Sequence, residues 1–394
     1  MTPRAYLSVR PLQFGHTVAQ RDGIAWMKAA LERAQATMPL PDADRARRFY
    51  DLLSRKSQIE HRVTALDDYT HQDWDRMRLH AAPALGDGQP GQGGTIWHQA
   101  DLGRRMELFA ETADAVAADA FAGDTEAPDA VLQVSCTGYD SPSAVQRVVA
   151  DHGWADDTRV LSVGHMGCYA ALPALATAAD LVAATAARRA LAGSAHGDDA
   201  GDARAAILLV ELCTLHHHPA TTDPEQIVQQ CLFADGAARI DVSAEPAGQS
   251  FALLDHVEAL VPDTLDEMTW RPSGTAFDMT LSRRVPDHIR DNVAGVVDRF
   301  LGRHGLAVPD VDVWAIHPGG PRVIESTAEA LGVDDQRTRH SHDVLRDRGN
   351  MSSTTLPHIW DRIARDEAVP SGALVGSLAF GPGLTVAGNL MRKA

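Results

Sequence analysis

The chain has 394 residues, enough to bury a large core as one domain or as two packed halves. Its formal net charge of −17, from 36 Lys and Arg against 53 Asp and Glu, argues against nonspecific nucleic-acid binding and anionic membranes. It still leaves room for a local basic patch that meets a small polyanion. No uninterrupted apolar run is long enough to span a bilayer, and the first residues lack a charged-then-apolar leader pattern. The expectation is therefore a cytoplasmic protein with no nucleic-acid and no membrane partner. Four cysteines, Cys136, Cys168, Cys213 and Cys231, form no CxxC pair, so neither a zinc knuckle nor a disulfide framework is suggested.

In chain order, Ala5 to Val9 reads as a strand, followed by helices at about 20–36 and 44–56. Arg55 to Arg62 is the most basic patch of the first third, either a solvated helix end or a phosphate contact. Residues 82–95, rich in Gly, Pro and Gln, read as a loop. Leu102, Met106, Phe109, Ala113, Val116 and Ala120 place one apolar face on a helix from 102 to 121. Residues 129–135 form a buried strand that ends at Cys136-Thr-Gly-Tyr-Asp-Ser-Pro.

Residues 160–163 form a further strand, which meets Gly164 and Gly167 and then an alanine-rich helix with Cys168 at its first turn. Residues 193–202 read as a surface loop, and 205–213 as a strand of a central sheet. A short helix and a strand start fall within 227–240. Residues 244–250 are the best boundary between halves, giving expected units 1–245 and 246–394. Val311 to Ile316 is a strand ending in His317-Pro-Gly-Gly-Pro321. Helix 322–332 follows, then a His/Arg-rich connection, then Gly349-Asn350-Met-Ser-Ser opening helix 356–366. Residues 373–386 read as two closing strands joined by a glycine loop. The class is α/β with two related-looking halves.

Cys168, His317 and Asn350 share one peculiarity: each is a reactive side chain presented by a tight turn at a strand or helix boundary. Ligands of open α/β sheets bind at strand carboxyl ends. A helix N-terminus favours a thiolate over a thiol of ordinary pKa about 8.5. Carbon–carbon bond formation on thioesters needs a thiolate to hold an acyl group. It also needs donors that polarise a second thioester carbonyl as that thioester loses carbon dioxide. One Cys, one His and one Asn suffice.

Taken together, Gly167-Cys168, Ile316-His317-Pro-Gly-Gly-Pro321, Gly349-Asn350-Met-Ser-Ser353 and Phe380-Gly-Pro-Gly-Leu-Thr385 resemble the signature segments of type III polyketide synthases, the chalcone and stilbene synthase family. Phe233-Ala-Asp-Gly-Ala237 is similar to a further segment of that family, with Ala234 in place of a glycine. The resemblance covers about residues 50–394. It implies a thiolase-like αβαβα fold of two pseudo-duplicated halves, a homodimer, acyl-CoA and malonyl-CoA substrates, no permanently bound cofactor and no metal. Carried over, Cys168 is the acyl-accepting nucleophile, His317 its ion-pair partner and an aid to decarboxylation, and Asn350 orients the thioester carbonyl. Phe233 and Phe277 guard the passage between coenzyme tunnel and acyl cavity. Lys56, and more loosely Arg62, contact coenzyme phosphates. Gly381, Pro382 and Gly383 shape the cavity floor, while Ser352, Cys136 and Cys213 line or border the cavity. The product would be a short polyketide such as a pyrone or resorcinol.

Three departures bear on the pocket. Tyr169 with Ala170 and Ala171 replaces the usual residues after the nucleophile, His216 stands at a small hydroxyl position, and Met268 stands at a glycine that controls cavity length. The last two imply a smaller or reshaped cavity. Other readings are a stand-alone β-ketoacyl synthase III-like ketosynthase using an acyl carrier protein, a Cys-His-Asn thioester hydrolase, and a non-catalytic partner subunit. His216-His217-His218 beside Cys213 lacks the alternation and the further ligand that a metal site on a strand requires.

Overall fold

A computed structural model describes residues 1–80, 100–193, 202–246, 248 and 250–394. The expected loop at 82–95 and all but the ends of the one at 193–202 lie outside the described residues, as do two positions of the 244–250 boundary. The strands are β1 (Ala5–Leu12), β2 (His16–Ala19), β3 (His61–Thr64), β4 (Ala130–Ser135), β5 (Arg159–Gly164), β6 (Arg204–Leu212), β7 (Asp235–Ser243), β8 (Phe251–Leu260), β9 (Met268–Pro272), β10 (Phe277–Leu281), β11 (Val313–Ile316), β12 (Leu374–Gly381) and β13 (Thr385–Lys393). The helices are α1 (Gln20–Thr37), α2 (Ala43–Lys56), α3 (Leu102–Phe121), α4 (Ala144–Asp151), α5 (Ala171–Gly193), α6 (Pro224–Leu232), α7 (Val285–Gly302), α8 (Pro321–Leu331), α9 (Asp335–Arg348) and α10 (Thr355–Arg365).

Nine strands hydrogen-bond in the order β11-β12-β13-β8-β1-β7-β6-β4-β5. β1 is the seam: it pairs along most of its length with β7, and through Ala5, Tyr6 and Leu7 with β8. Alternation along the strands sorts side chains into layers. Leu132, Val134, Ile207, Leu209, Ile240 and Leu253 face a core shared with α5 and α10, as do Val313, Val375 and Met391 of the other arm. The intervening residues Val131, Leu208 and Val210 face α1, α3 and α4. Trp314, Ile316, Leu378 and Phe380 face α7 and α8. Helices, sheet arm, central helix pair, second sheet arm and outer helices thus form five layers, the expected αβαβα arrangement.

Alanine dominates α5 because the helix lies between two sheet arms. Ala170, Ala171, Ala174, Ala178 and Ala179 are at most 1% exposed, and small side chains let both arms approach. The helix begins at Ala171, so Cys168 sits in the turn before it rather than in its first turn. The polar connection expected after residue 332 is instead the helix α9. Its buried face carries Thr338, His340 and Ser341 along with Val344 and Leu345, so an apolar period is not visible. Ser341 is buried there for a reason. Its hydroxyl accepts the Ile316 N–H at 2.9 Å, closing the open edge of β11 immediately before His317.

Replacing Ser341 with Ala strands a buried N–H, which costs about 1–3 kcal/mol. The urea midpoint of S341A should fall accordingly, and an unchanged midpoint would show that this contact does not support the β11 edge.

Candidate active site

Three turns bring the predicted residues together. β5 ends at Gly164, and the chain crosses to Cys168 through Gly167, whose φ is +85°. A side chain at Gly167 would meet Pro382 Cδ at 2.5 Å, so the turn packs directly on the β12–β13 loop. At Gly381 an added Cβ would lie 2.1 Å from the Tyr169 ring. Tyr169 therefore uses the space that glycine leaves, which accounts for the aromatic residue after Cys168. Pro382 lines the cavity, whereas Gly381 and Gly383 support it from behind.

His317 follows β11, its N–H bonded to Leu378 O at 2.8 Å and its carbonyl accepting from Gly319 N–H at 3.0 Å. Asn350 pairs as an isolated bridge with Phe233: its N–H donates to Leu232 O at 2.9 Å, and its carbonyl accepts from Ala234 N–H at 2.8 Å. The Asn350 Oδ1 accepts the Ser352 N–H at 2.9 Å, which fixes the amide face. Its Nδ2 donates to Gly319 O at 3.4 Å, tying it to the His317 turn, and also interacts with the Cys168 sulfur. Ser352 adopts φ +51°, an uncommon conformation for a non-glycine residue, held by that N–H bond.

Cys168, Cys213 and Phe233 form a small buried cluster. The cavity beside them also meets Cys136, His216, Met268, Phe277 and Ser352. Its free space, counted for the centres of water molecules, is about 40 Å³, room for a few waters. His216 is more than a narrowing residue. Its ring stacks on Phe277 at 4.5 Å and 11°, its Nε2 reaches Thr137 O at 2.7 Å, and its Nδ1 accepts the Phe277 N–H at 3.0 Å. Phe277 therefore belongs to an aromatic wall with Trp270. Phe233 lines the cavity, and its neighbour Leu232 lines a surface groove of about 500 Å³ of water-centre space.

That groove carries exposed Lys56, Arg283 and Arg322, with apolar Phe49, Leu53 and Val323 between them. Arg62 is elsewhere. It is 8% exposed, and its Nη1 donates to Gln230 O at 2.6 Å and Phe233 O at 2.8 Å. It braces the end of α6 and is turned away from any phosphate. The three successive histidines diverge likewise, His218 bonding Asp278 at 3.0 Å. No cluster that could hold a metal ion occurs among the described residues, and none of their helices is long and apolar enough to cross a membrane.

The dry setting decides the charges. Burial pushes the Cys168 thiol up to about 12, with the Glu211 carboxylate adding to it and bonds from Ser352, its own N–H and Asn350 opposing. Burial likewise pushes His317 down to about 3, and neither ring nitrogen has a hydrogen-bond partner among the described residues. Both shifts run against the expected thiolate–imidazolium pair, because burial favours the thiol and the uncharged imidazole. The position of Cys168 before the helix does not offset desolvation. Sequence reading also passed over Glu211. Fully buried, it accepts the Cys136 N–H and the Thr137 hydroxyl at 2.9 Å each, and the Ser353 hydroxyl. Its signal was a lone carboxylate in an otherwise apolar strand.

The family profile "Chalcone and stilbene synthases, C-terminal domain" matches residues 252–394. The chain is 31% identical over 300 residues to the alpha-pyrone synthesis polyketide synthase-like Pks18 of Mycobacterium tuberculosis, covering 73% of this chain and 72% of that protein. It is 30% identical over 312 residues to the 1,3,6,8-tetrahydroxynaphthalene synthase of Streptomyces peucetius, covering 77% and 76%. Among solved structures, PKS-I of the brown alga Ectocarpus siliculosus superposes with a TM-score of 0.79 at 24% identity, over 99% of each chain. The tetrahydroxynaphthalene synthase of Streptomyces coelicolor gives 0.73 at 23%, over 98% of each. These two likenesses bear on the fold alone.

Because the thiolate is the reactive form, alkylation of Cys168 by iodoacetamide should be slow at neutral pH and climb about tenfold per pH unit through the alkaline range. Peptide mass spectrometry identifies the site. A rate already level below pH 7 would mean a preformed thiolate.

Proposed function

Since the chain belongs to the chalcone and stilbene synthase family of type III polyketide synthases, an acyltransferase that builds polyketides, we propose how its own residues carry the reaction. The observation that carries the proposal is the link His317–Gly319–Asn350–Cys168, three turns joined by hydrogen bonds, with Cys168 lining the cavity. Cys168 takes the acyl group of a coenzyme A thioester: its thiol proton passes to His317 as the sulfur–carbon bond forms, and His317 hands that proton to the coenzyme A sulfur, which leaves as the thiol. Malonyl-CoA then places its thioester oxygen against the Asn350 amide and the His317 ring N–H. Loss of carbon dioxide leaves an enolate on that oxygen, held by the two donors. The enolate carbon attacks the acyl-Cys168 carbonyl, releasing the thiolate and a β-ketoacyl-CoA two carbons longer.

The His317 ring N–H donates to the enolate oxygen in either protonation state, and a site with little water strengthens that bond. The outer groove fits the coenzyme. Lys56, Arg283 and Arg322 form no ion pair among the described residues, so they are available to phosphates, while Phe49, Leu53 and Val323 suit the pantetheine arm. Phe233 stands where the arm would pass inward. A homodimer is consistent with the half-exposed Val160, Leu161 and Val163 on edge strand β5, and with Tyr139, 52% exposed beside the cavity wall. No separate cofactor takes part in the steps above.

Labelled malonyl-CoA with a starter thioester should yield carbon dioxide and an extended product. C168A should lose the acyl-enzyme and the product, and H317Q or N350D should slow decarboxylation by about 10²–10³. Thioester hydrolysis without a new carbon–carbon bond would sink the proposal. K56A, R283A and R322A should raise KM for coenzyme A thioesters while leaving that for N-acetylcysteamine thioesters unchanged. Equal effects on both would remove the groove from coenzyme binding.

A further inference from the structure

The cavity beside Cys168 has two unlike walls. One is apolar and aromatic: Phe233, Met268, Trp270, Phe277 and Met279. The indole N–H of Trp270 is already used, donating to Cys136 O at 2.6 Å. Another part of the lining comes from α6 and the turn after β6, and there polar atoms are left over. His217 is 5% exposed, and neither ring nitrogen has a hydrogen-bond partner among the described residues. Gln230 is 2% exposed, its amide N–H reaches the Tyr50 hydroxyl at a long 3.4 Å, and its carbonyl oxygen has no partner. Turning the amide over exchanges the two atoms and still leaves one unpaired.

Behind His217 lies a smaller space of about 20 Å³, room for about one water, walled by Arg62, Tyr69 and Thr214. His217 is common to both cavities. The Arg62 Nε–H there is also unpartnered. Nearby groups that could have met these atoms are already engaged. Asp235 accepts from Ala65 N–H and from the Thr214 N–H and hydroxyl, and the Tyr69 hydroxyl bonds Thr214 O and His80. Burial also keeps His217 neutral, so it offers one donor and one acceptor.

A buried donor or acceptor left unmade costs about 1–3 kcal/mol. In the structure these atoms are closed to water, so the need stays unmet until a polar group is drawn against them. A saturated tail laid against this wall leaves the atoms unpaired. A chain grown by decarboxylative two-carbon additions carries a carbonyl on alternate carbons and can supply that group. Resting on the condensation reading above, we propose that His217 and Gln230 select acyl chains bearing carbonyl or hydroxyl oxygens beyond the thioester, against saturated alkyl chains of equal length. They are specificity-determining residues of the polar wall, distinct from the Met268 and Phe277 wall that sets its width.

The test compares starters in which a terminal hydroxyl replaces a methyl, such as 6-hydroxyhexanoyl-CoA and heptanoyl-CoA, over pairs from about four to about eight carbons, with condensation on malonyl-CoA measured for each. The wild type should favour the hydroxylated member at one or more lengths by about tenfold or more in kcat/KM. In H217L and Q230L that ratio should fall toward one or below. The ratio is unaffected by how much of a variant is folded. Preference for the alkyl member at every length, or an undiminished ratio in both variants, overturns the proposal. Carbon dioxide release from malonyl-CoA by the wild type separates the failures: release with alkyl preference overturns the selectivity alone, and no release overturns the condensation reading with it.

Discussion

Two helix beginnings that water does not reach govern this molecule. α5 and α10 lie between the sheet arms, and the residues leading into both are buried. A helix start exposes backbone N–H groups that need partners, and here those partners must come from the protein. The Thr355 hydroxyl accepts the Met351 N–H at 2.9 Å, and the Gly167 carbonyl accepts the Ala170 N–H at 3.1 Å. Meeting this requirement forces tight turns, and the tight turns carry Asn350 and Cys168. The reactive side chains are where they are because the central layer is sealed.

Sealing also sets their charge. With little solvent to stabilise ions, the thiol, the imidazole of His317 and the neighbouring His216 are all driven toward their neutral forms. Glu211 is the buried carboxyl of this neighbourhood, and it is surrounded by donors from Cys136, Thr137 and Ser353. Those bonds join β4, β6 and the turn before α10, so one side chain holds strands of the first arm to the segment that presents Asn350.

Much of this was legible in the sequence. Strand-to-turn transitions at Cys168 and His317 show as apolar runs broken by glycine, and α3 shows as a regular apolar face. What was not legible depended on partners far along the chain. Arg62 looks like part of a basic surface patch, yet its carbonyl partners are 168 and 171 residues away. α9 hides because its buried face is polar, its Ser341 answering to Ile316. Three adjacent histidines read alike, although one clamps Phe277, one meets Asp278 and one is left over. Local pattern records which face is apolar and is silent on which buried polar atom is paired.

The bridge between Phe233 and Asn350 couples a cavity-lining ring to the turn that carries the Asn350 amide. The same short stretch of backbone carries the phenyl ring and, through two hydrogen bonds, anchors the residue whose amide meets Cys168. A cargo wide enough to push Phe233 aside by moving its backbone would drag the Asn350 donor out of line. On the proposed function, such a cargo would be admitted and yet not extended. Fidelity would then be mechanical: the door and the tool would share one hinge.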